Sequence, residues 1–374
     1  MKRTFINSTG KLYKASRKFI FLFDSELVHE SALNFGEFLG NSSILNELFR
    51  KFFYVNRASL SQDISGIHFD SPVGLAAGFD YQAKLVKILP SLSFGFLTIG
   101  TITNMPYEGN QKPRLGRLVK SRSLMVNKGF KNPGVKTIIK KLRGTKFEVP
   151  VGISIGKTNS KKNMSQRQAV WDIISAFKAA EKSRINVSYY ELNISCPNLY
   201  GNVSFYPPDN LEGLLKAVTS LKLKKPLFIK MPIDKSDKEI SDMLRVIVKH
   251  NVTGVIFGNL QKDRKDKSLK REELIRYPIG NFSGKPTEKR SNELIELTYR
   301  KYGKKLVIVG CGGIFSGKDA YKKIKLGASM VQLITGLIFE GPQLVSQINL
   351  ELYELLKRDK FENISEAIGI ESKN

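Results

Sequence analysis

From residue 66 onward the chain alternates short apolar runs with stretches long enough to form helices. The runs fall at residues 72–77, 95–99, 149–155, 189–194, 226–231, 252–257, 305–309 and 328–334. Each is bounded by turn-forming residues. Eight strand-like runs separated mostly by helix-length segments predict successive βα units, and hence an α/β fold with a parallel sheet closed into a (β/α)₈ TIM barrel. A doubly wound open sheet is the competing architecture, but no GxGxxG opens any of the units.

The first 60 residues have a different texture. Leu27, Leu33, Phe35 and Phe38, then Ile44, Leu45, Leu48, Phe49, Phe52 and Phe53, recur at helical intervals, which predicts two or three short amphipathic helices with basic flanks. The chain therefore divides into a small N-terminal helical extension, 1–60, and a barrel, 61–374. A length of 374 residues suits one barrel of roughly 250 to 300 residues with an appendage. The longest apolar run of the extension, Phe19-Ile20-Phe21-Leu22-Phe23, is too short for a membrane span, so the expected relation to a bilayer is contact without crossing.

Charge changes this picture little. Lys and Arg number 61 against 34 Asp and Glu, a formal +27 that favours anionic partners. The lysines are spread over the expected surface helices and loops, with no aromatic-interleaved stripe or nucleic-acid module, so no nucleic-acid partner is expected. Cys196 and Cys311 sit in no CxxC or Cys/His spacing, which points to a cytosolic setting and no metal.

In a barrel of this kind the chemistry lies where the strands end. The seventh and eighth runs lead into Gly310-Cys311-Gly312-Gly313-Ile314-Phe315-Ser316-Gly317 and Ile334-Thr335-Gly336, where glycines and helix N-termini suit a phosphate; tight turns alone are the plainer reading. After the fourth run, Asn193-Ile194-Ser195-Cys196-Pro197-Asn198 packs amides, a hydroxyl and a thiol into six residues. Amides hold a planar polar ligand by its edge and a thiolate removes a proton, although a buried cysteine beside a turn has the same appearance. Lys230 ends an otherwise apolar fifth run, where an ammonium aimed into the mouth would stabilise anionic charge and one snorkelling outward would not. With Thr101 and Asn259 these residues form a ring of neutral donors and one cation, without a carboxylate pair or a hydrolytic triad.

These residues resemble those of the dihydroorotate dehydrogenases. The likeness is carried by Gly74-Leu75-Ala76-Ala77-Gly78-Phe79-Asp80, Ile99-Gly100-Thr101-Ile102-Thr103, Gly109-Asn110-Gln111-Lys112-Pro113-Arg114-Leu115, Asn193 to Asn198 and Gly312 to Phe315, and it extends over nearly the whole chain. The helical extension, with Leu22-Phe23-Asp24-Ser25-Glu26-Leu27-Val28-His29-Glu30, is similar to that of the membrane-associated, quinone-reducing class. The resemblance implies an FMN-dependent oxidation of dihydroorotate to orotate in pyrimidine biosynthesis. Cys196 would take the C5 proton, flavin N5 the C6 hydride, and a membrane quinone would then receive the electrons. It implies flavin contacts at Ala77, Gly78, Thr101, Ser154, Asn193, Lys230, Gly258, Gly284, Gly313, Ile334 and Thr335. Substrate contacts follow at Asn193, Asn198 and Asn259, with Tyr81 and Asn127 at positions that touch substrate in the family. Quinone access would pass His29 and Arg117, with the enzyme peripheral to the cytoplasmic side of a membrane.

The departures lie around the substrate. The quinone class generally uses Ser as its base, where this chain has Cys196, a better base by its reference pKa. Tyr81 replaces a lysine, the family's Asn-Arg-Tyr/Met-Gly-Phe reads Val126-Asn127-Lys128-Gly129-Phe130, Leu260 follows Asn259 where a threonine is usual, and Ser154 replaces an asparagine. The alternative they open is the same barrel and flavin acting on another cyclic amide or an enone.

Overall fold

The structure is a computed structural model that describes residues 2–160 and 164–372. The eight expected runs become eight parallel strands: β1 (Val73–Leu75), β2 (Phe96–Ile102), β3 (Val151–Ile155), β4 (Tyr189–Asn193), β5 (Leu227–Met231), β6 (Gly254–Phe257), β7 (Val307–Cys311) and β8 (Met330–Leu333). Neighbours in sequence are neighbours in space, and pairing of β8 with β1 closes the barrel. All eight carboxyl ends therefore point to one rim.

Three helices form the extension: α1 (Lys2–Ile20), α2 (Ser25–Asn41) and α3 (Ser43–Phe53). Three is within the expected two or three, although the recurring apolar positions that carried the expectation all fall in α2 and α3. In α1 just Ile6 and Gly10 are buried, and the helix carries six cations. Helix α2 starts where the Asp24 carboxylate accepts from the amides of Glu26 and Leu27 at 3.0 and 2.9 Å, satisfying two of the orphan N–H groups of a helix start.

The outer ring explains why the extension is there. Strands β2 to β8 are each followed by a helix, α4 (Val135–Leu142), α5 (Gln166–Ser183), α6 (Pro208–Thr219), α7 (Asp237–Ile247), α8 (Glu288–Tyr302), α9 (Gly317–Lys325) and α10 (Leu344–Arg358), but β1 is followed only by a four-residue 3₁₀ turn, Leu89–Leu92. Helix α3 lies on that turn, and Ser93 ties the two by accepting from Val55 N and donating to Phe53 O, both at 2.8 Å. Ile6 and Leu33 belong to the same buried apolar cluster as the strands and barrel helices. The extension packs as part of the barrel wall.

Two further pieces frame the interior. A hairpin, Gln62–Ile64 with Ile67–Phe69, plugs the amino-terminal end, where Phe69 meets Phe96 edge to face at 5.5 Å; Tyr189 and Phe228 continue the aromatic layer. At the opposite rim, insertions after β2 and β6 form an antiparallel sheet of Leu115–Leu118, Ser123–Val126 and Asn281–Phe282, which the sequence pattern did not reveal. Helix α2 lies beside this sheet, with the Glu26 carboxylate held by Arg114 at 3.1 Å and Lys131 at 3.0 Å.

Leu33, 1% exposed on α2, tests this shared core. Leu33→Ala is expected to cost about 3 kcal/mol, the middle of the range for a truncated core leucine. If the extension and barrel unfold together, the fluorescence of the sole tryptophan, Trp171 on α5, will report the same lowered midpoint in denaturant as helical circular dichroism. Two separate transitions would show an independently folding extension.

Candidate functional site

The carboxyl rim opens into one cleft, with empty space of about 1150 Å³ counted to its solvent-open mouth. Residues from seven of the eight strand ends or the loops after them, all but β3, line it together with His29 of α2 and residues of the rim sheet. Of the expected contact residues, Ala77, Gly78, Thr101, Asn193, Cys196, Asn198, Lys230, Gly258, Asn259, Gly284, Gly313, Ile334, Thr335, Tyr81 and His29 share this cleft.

Three expected contacts do not line it. Ser154 stands one layer behind, its hydroxyl between Thr101 Oγ1 at 2.9 Å and the buried Glu191 carboxylate at 2.6 Å. Asn127 lies on the far side of the rim strand from its neighbour Val126; its amide accepts from Asn110 at 3.1 Å and donates to Gln111 O at 3.3 Å, while Val126 occupies the cleft wall. Strand alternation thus sends an apolar side chain inward where a polar one was anticipated. Arg117 donates to the carbonyls of Phe21 and Phe23 and stacks on the Phe21 ring, so it fastens the turn between α1 and α2 to the rim sheet.

The amide ring is prearranged. Asn193 donates to Thr101 Oγ1 at 2.8 Å and accepts from Ser195 Oγ at 2.9 Å, and Asn259 donates to Ser195 Oγ at 2.6 Å. Asn198 donates to Val126 O at 3.0 Å and accepts from Asn281 Nδ2 at 2.6 Å. Gly258 has φ +135°, and a Cβ there would lie 2.0 Å from Cys311 O, so only glycine lets β6 turn so close to β7.

Lys230 is 4% exposed and faces the cleft, and among the described residues no acceptor lies within hydrogen-bonding distance of its ammonium. A buried cation with no partner is costly, so the site is built to receive an anionic or electron-rich group. Burial pushes the Cys196 thiol up to about 11, against the Asn198 amide and the charges of Lys230, Lys262 and Lys157, which pull it down. The thiol thus enters protonated and depends on neighbouring cations to act as a base.

Of the two helix starts expected at the phosphate cradle, the one at Thr335 carries no side-chain cap and the one after β7 is closed by side chains. Gly312, Gly313, Ile314, Thr335 and Gly336 line the cleft. At the start of α9, however, the amide of Phe315 donates to Asp319 at 2.9 Å and that of Gly317 to Glu351 at 2.6 Å, so carboxylates of the chain itself close that helix N-terminus. An anion here would be held by the glycine backbone ahead of the helix.

The rim-sheet side of the cleft carries a group that the sequence pattern left unplaced. Lys128 Nζ lies 3.2 Å from His29 Nδ1 and 4.8 Å over the Tyr81 ring, and His29 Nε2 lies 2.9 Å from Phe79 O. Burial, opposed by Glu26, pushes the Lys128 ammonium down to about 8. Burial and the Lys128 charge hold His29 down at about 3, a neutral ring.

Residues 59–356 match the family model described as Dihydroorotate dehydrogenase. A protein named dihydroorotate dehydrogenase (quinone) from Christiangramia forsetii is 35% identical over 348 residues, covering 92% of this chain and 99% of that protein. One of the same name from Helicobacter acinonychis is 32% identical over 363 residues, covering 96% and 99%. A crystal structure of DHODH in complex with ferulenol from Eimeria tenella superposes with a TM-score of 0.82 at 26% identity, covering 94% of this chain and 96% of that one.

Alkylation of Cys196 by iodoacetamide, followed by peptide mass spectrometry, checks its electrostatics. Its rate is expected to rise with pH towards pH 11 without levelling between pH 7 and 9. Lys230→Met, by removing a cation that favours the thiolate, should move the curve further to the alkaline side.

Proposed function

The chain belongs to the dihydroorotate dehydrogenase family, and we propose that it uses FMN to oxidise dihydroorotate to orotate at the inner part of the cleft and passes the electrons to a membrane quinone. The observation that carries this reading is the meeting of Cys196, Lys230, which has no acceptor among the described residues, and the amides of Asn193, Asn198 and Asn259 in one cleft.

The residues present suit FMN. Lys230 offers a cation with no acceptor among the described residues, the glycine backbone at 312–313 and Gly336 offers room for a phosphate, and Ala77, Gly78, Thr101, Asn193, Gly258, Gly284, Ile334 and Thr335 supply a wall of small and hydrogen-bonding groups. Ser154 acts from behind by fixing the Thr101 hydroxyl. FMN held by these residues would supply the two-electron acceptor for the hydride that leaves the substrate C6.

Each step assigned to the protein rests on a named atom. Asn193, Asn198 and Asn259 hold the edge of a cyclic imide, their carboxamides already oriented by Thr101, Ser195 and Asn281. Cys196 Sγ removes the C5 proton, with Lys230, Lys262 and Lys157 favouring the thiolate. Val126 and Leu260 close the cleft with apolar surface, which excludes water from the proton transfer. The same two residues with Tyr81 support a second reading, in which the enzyme acts on another cyclic amide or an enone. Orotate binding as tight as in ordinary family members would exclude it.

The extension supports the quinone and membrane parts of the reading. Phe19, Leu22, Phe35, Phe38 and Ile44 are each more than 60% exposed, α1 carries six cations and no acid, and no described helix is long and apolar enough to cross a membrane. Such a surface lies on an anionic bilayer at the cytoplasmic face.

Anaerobic addition of dihydroorotate should bleach the yellow protein, and quinone should restore the colour. Cys196→Ala should slow the bleaching by at least about 100-fold, the usual share of a positioned base. In the parent enzyme the bleaching rate should rise with pH above 7, because the thiol must lose its proton and is held near 11. Retention of fast bleaching by the alanine variant would remove Cys196 from the role. Phe35→Glu with Phe38→Glu should weaken flotation with anionic phospholipid vesicles at least about tenfold while leaving bleaching unchanged.

A further inference from the structure

The cleft holds two separate sets of charges. Those acting on Cys196 are Lys230, Lys262 and Lys157. Those acting on Lys128 come from elsewhere: Glu26, His29 and Glu30 on α2, with Arg114 and Lys131 from the insertion after β2. Neither Lys128 nor Cys196 is among the groups that chiefly set the other's charge. Lys128 thus stands on the side of the cleft that α2 covers, where the lining residues Leu115, Leu124 and Ile338 pack in one apolar cluster with Phe21 of the extension.

The geometry fixes the protons at this end. Phe79 O can only accept, so His29 Nε2 carries the hydrogen and Nδ1 is a lone pair. That lone pair accepts one of the three Lys128 N–H bonds. The Tyr81 ring supports the cation from one side. Two N–H bonds of a buried ammonium remain, in an apolar passage under the membrane-facing helices.

We propose that Lys128, positioned by His29 and Tyr81, donates a hydrogen bond and then a proton to the carbonyl of a quinone entering beneath α2. This rests on the quinone-reductase reading given above. Reduction of a quinone to a quinol needs two electrons and two protons. The reduced cofactor supplies both electrons and one proton; the second leaves Lys128, which becomes a neutral amine. Lys131 and Glu30, 2.7 Å apart at the edge of the cluster, face solvent from which the amine regains its proton. An ordinary lysine holds its proton too firmly for this, whereas one pushed down to about 8 is matched to neutral pH.

The test compares two acceptors in the full-length, flavin-loaded enzyme: decylubiquinone, and ferricyanide, which needs no proton. Lys128→Met should reduce decylubiquinone turnover about 100-fold and leave ferricyanide turnover within about twofold. In the parent enzyme quinone turnover should fall as pH rises through about 8, because the acid form is the active one, and that limb should vanish in the variant. Lys128→Arg keeps the charge but cannot release the proton, so it should bind quinone yet turn it over slowly. Calorimetric titration with 2-hydroxy-1,4-naphthoquinone, an anionic analogue, gives a readout apart from turnover. Lys128→Met should weaken its binding at least about tenfold and Lys128→Arg should not. Equal loss with both acceptors, or no loss with quinone, would overturn the proposal. Failure of the parent enzyme with both acceptors would instead sink the oxidoreductase reading on which it rests.

Discussion

A parallel sheet that closes on itself has all its carboxyl ends at one rim, and the site depends on that constraint. Residues as distant in sequence as Thr101, Asn193, Lys230 and Thr335 share one cleft because each stands at or just past the end of its strand. The closed lower end makes the rim usable. Phe69, Phe96, Tyr189 and Phe228 fill the barrel, so polar groups above them face the cleft instead of an open channel. The polar layer is itself bonded from Asn193 through Thr101 and Ser154 to Glu191, which holds the upper side chains in one arrangement.

The strands were legible because each βα unit writes its own local pattern. The chemistry at their ends was legible where position alone decides direction: Lys230 and Asn193 are paired in register on adjacent strands, and both end at the rim. Side-chain direction within the insertions was not legible. Val126 and Asn127 are neighbours, and only the register of an antiparallel sheet built from residues 115–126 and 281–282 decides which of them faces the cleft. The phosphate cradle shows the same limit, since nothing local announces that Glu351, 34 residues beyond Gly317, reaches back to cap α9. What the pattern of α1 could not tell is which of its positions become buried, because that is set by the α10 and α3 surfaces it rests on.

The missing first barrel helix joins fold to function. With only a 3₁₀ turn after β1, the outer wall has a gap that α3 fills, and α2 is thereby carried up to the rim. Glu26 then meets Arg114 and Lys131, and despite burial, which works against it, the hydrogen bonds and charges of the two cations hold its carboxyl below the usual range. The same helix α2 that presents exposed Phe35 and Phe38 outward presents His29 inward, so the exposed aromatic surface and the cleft are two sides of one helix.

The exchange at Tyr81 and Lys128 has an electrostatic logic. A lysine at position 81 and a second at 128 would place two buried ammonium groups within a few ångströms, each with its desolvation cost and with mutual repulsion besides. An aromatic ring at 81 removes one of them and supports the other, 4.8 Å above its face. The inner part of the cleft is left with Lys230 as its cation among amides and apolar walls, while Lys128 stands with the carboxylates of α2. Burial loosens the proton of Lys128, and the carboxylates of Glu26 and Glu30 oppose that loosening. Within one cleft the two lysines thus stand in different settings: the charge of Lys230 acts on the Cys196 thiol, whereas Lys128 answers to Glu26, Lys131, Glu30 and Arg114.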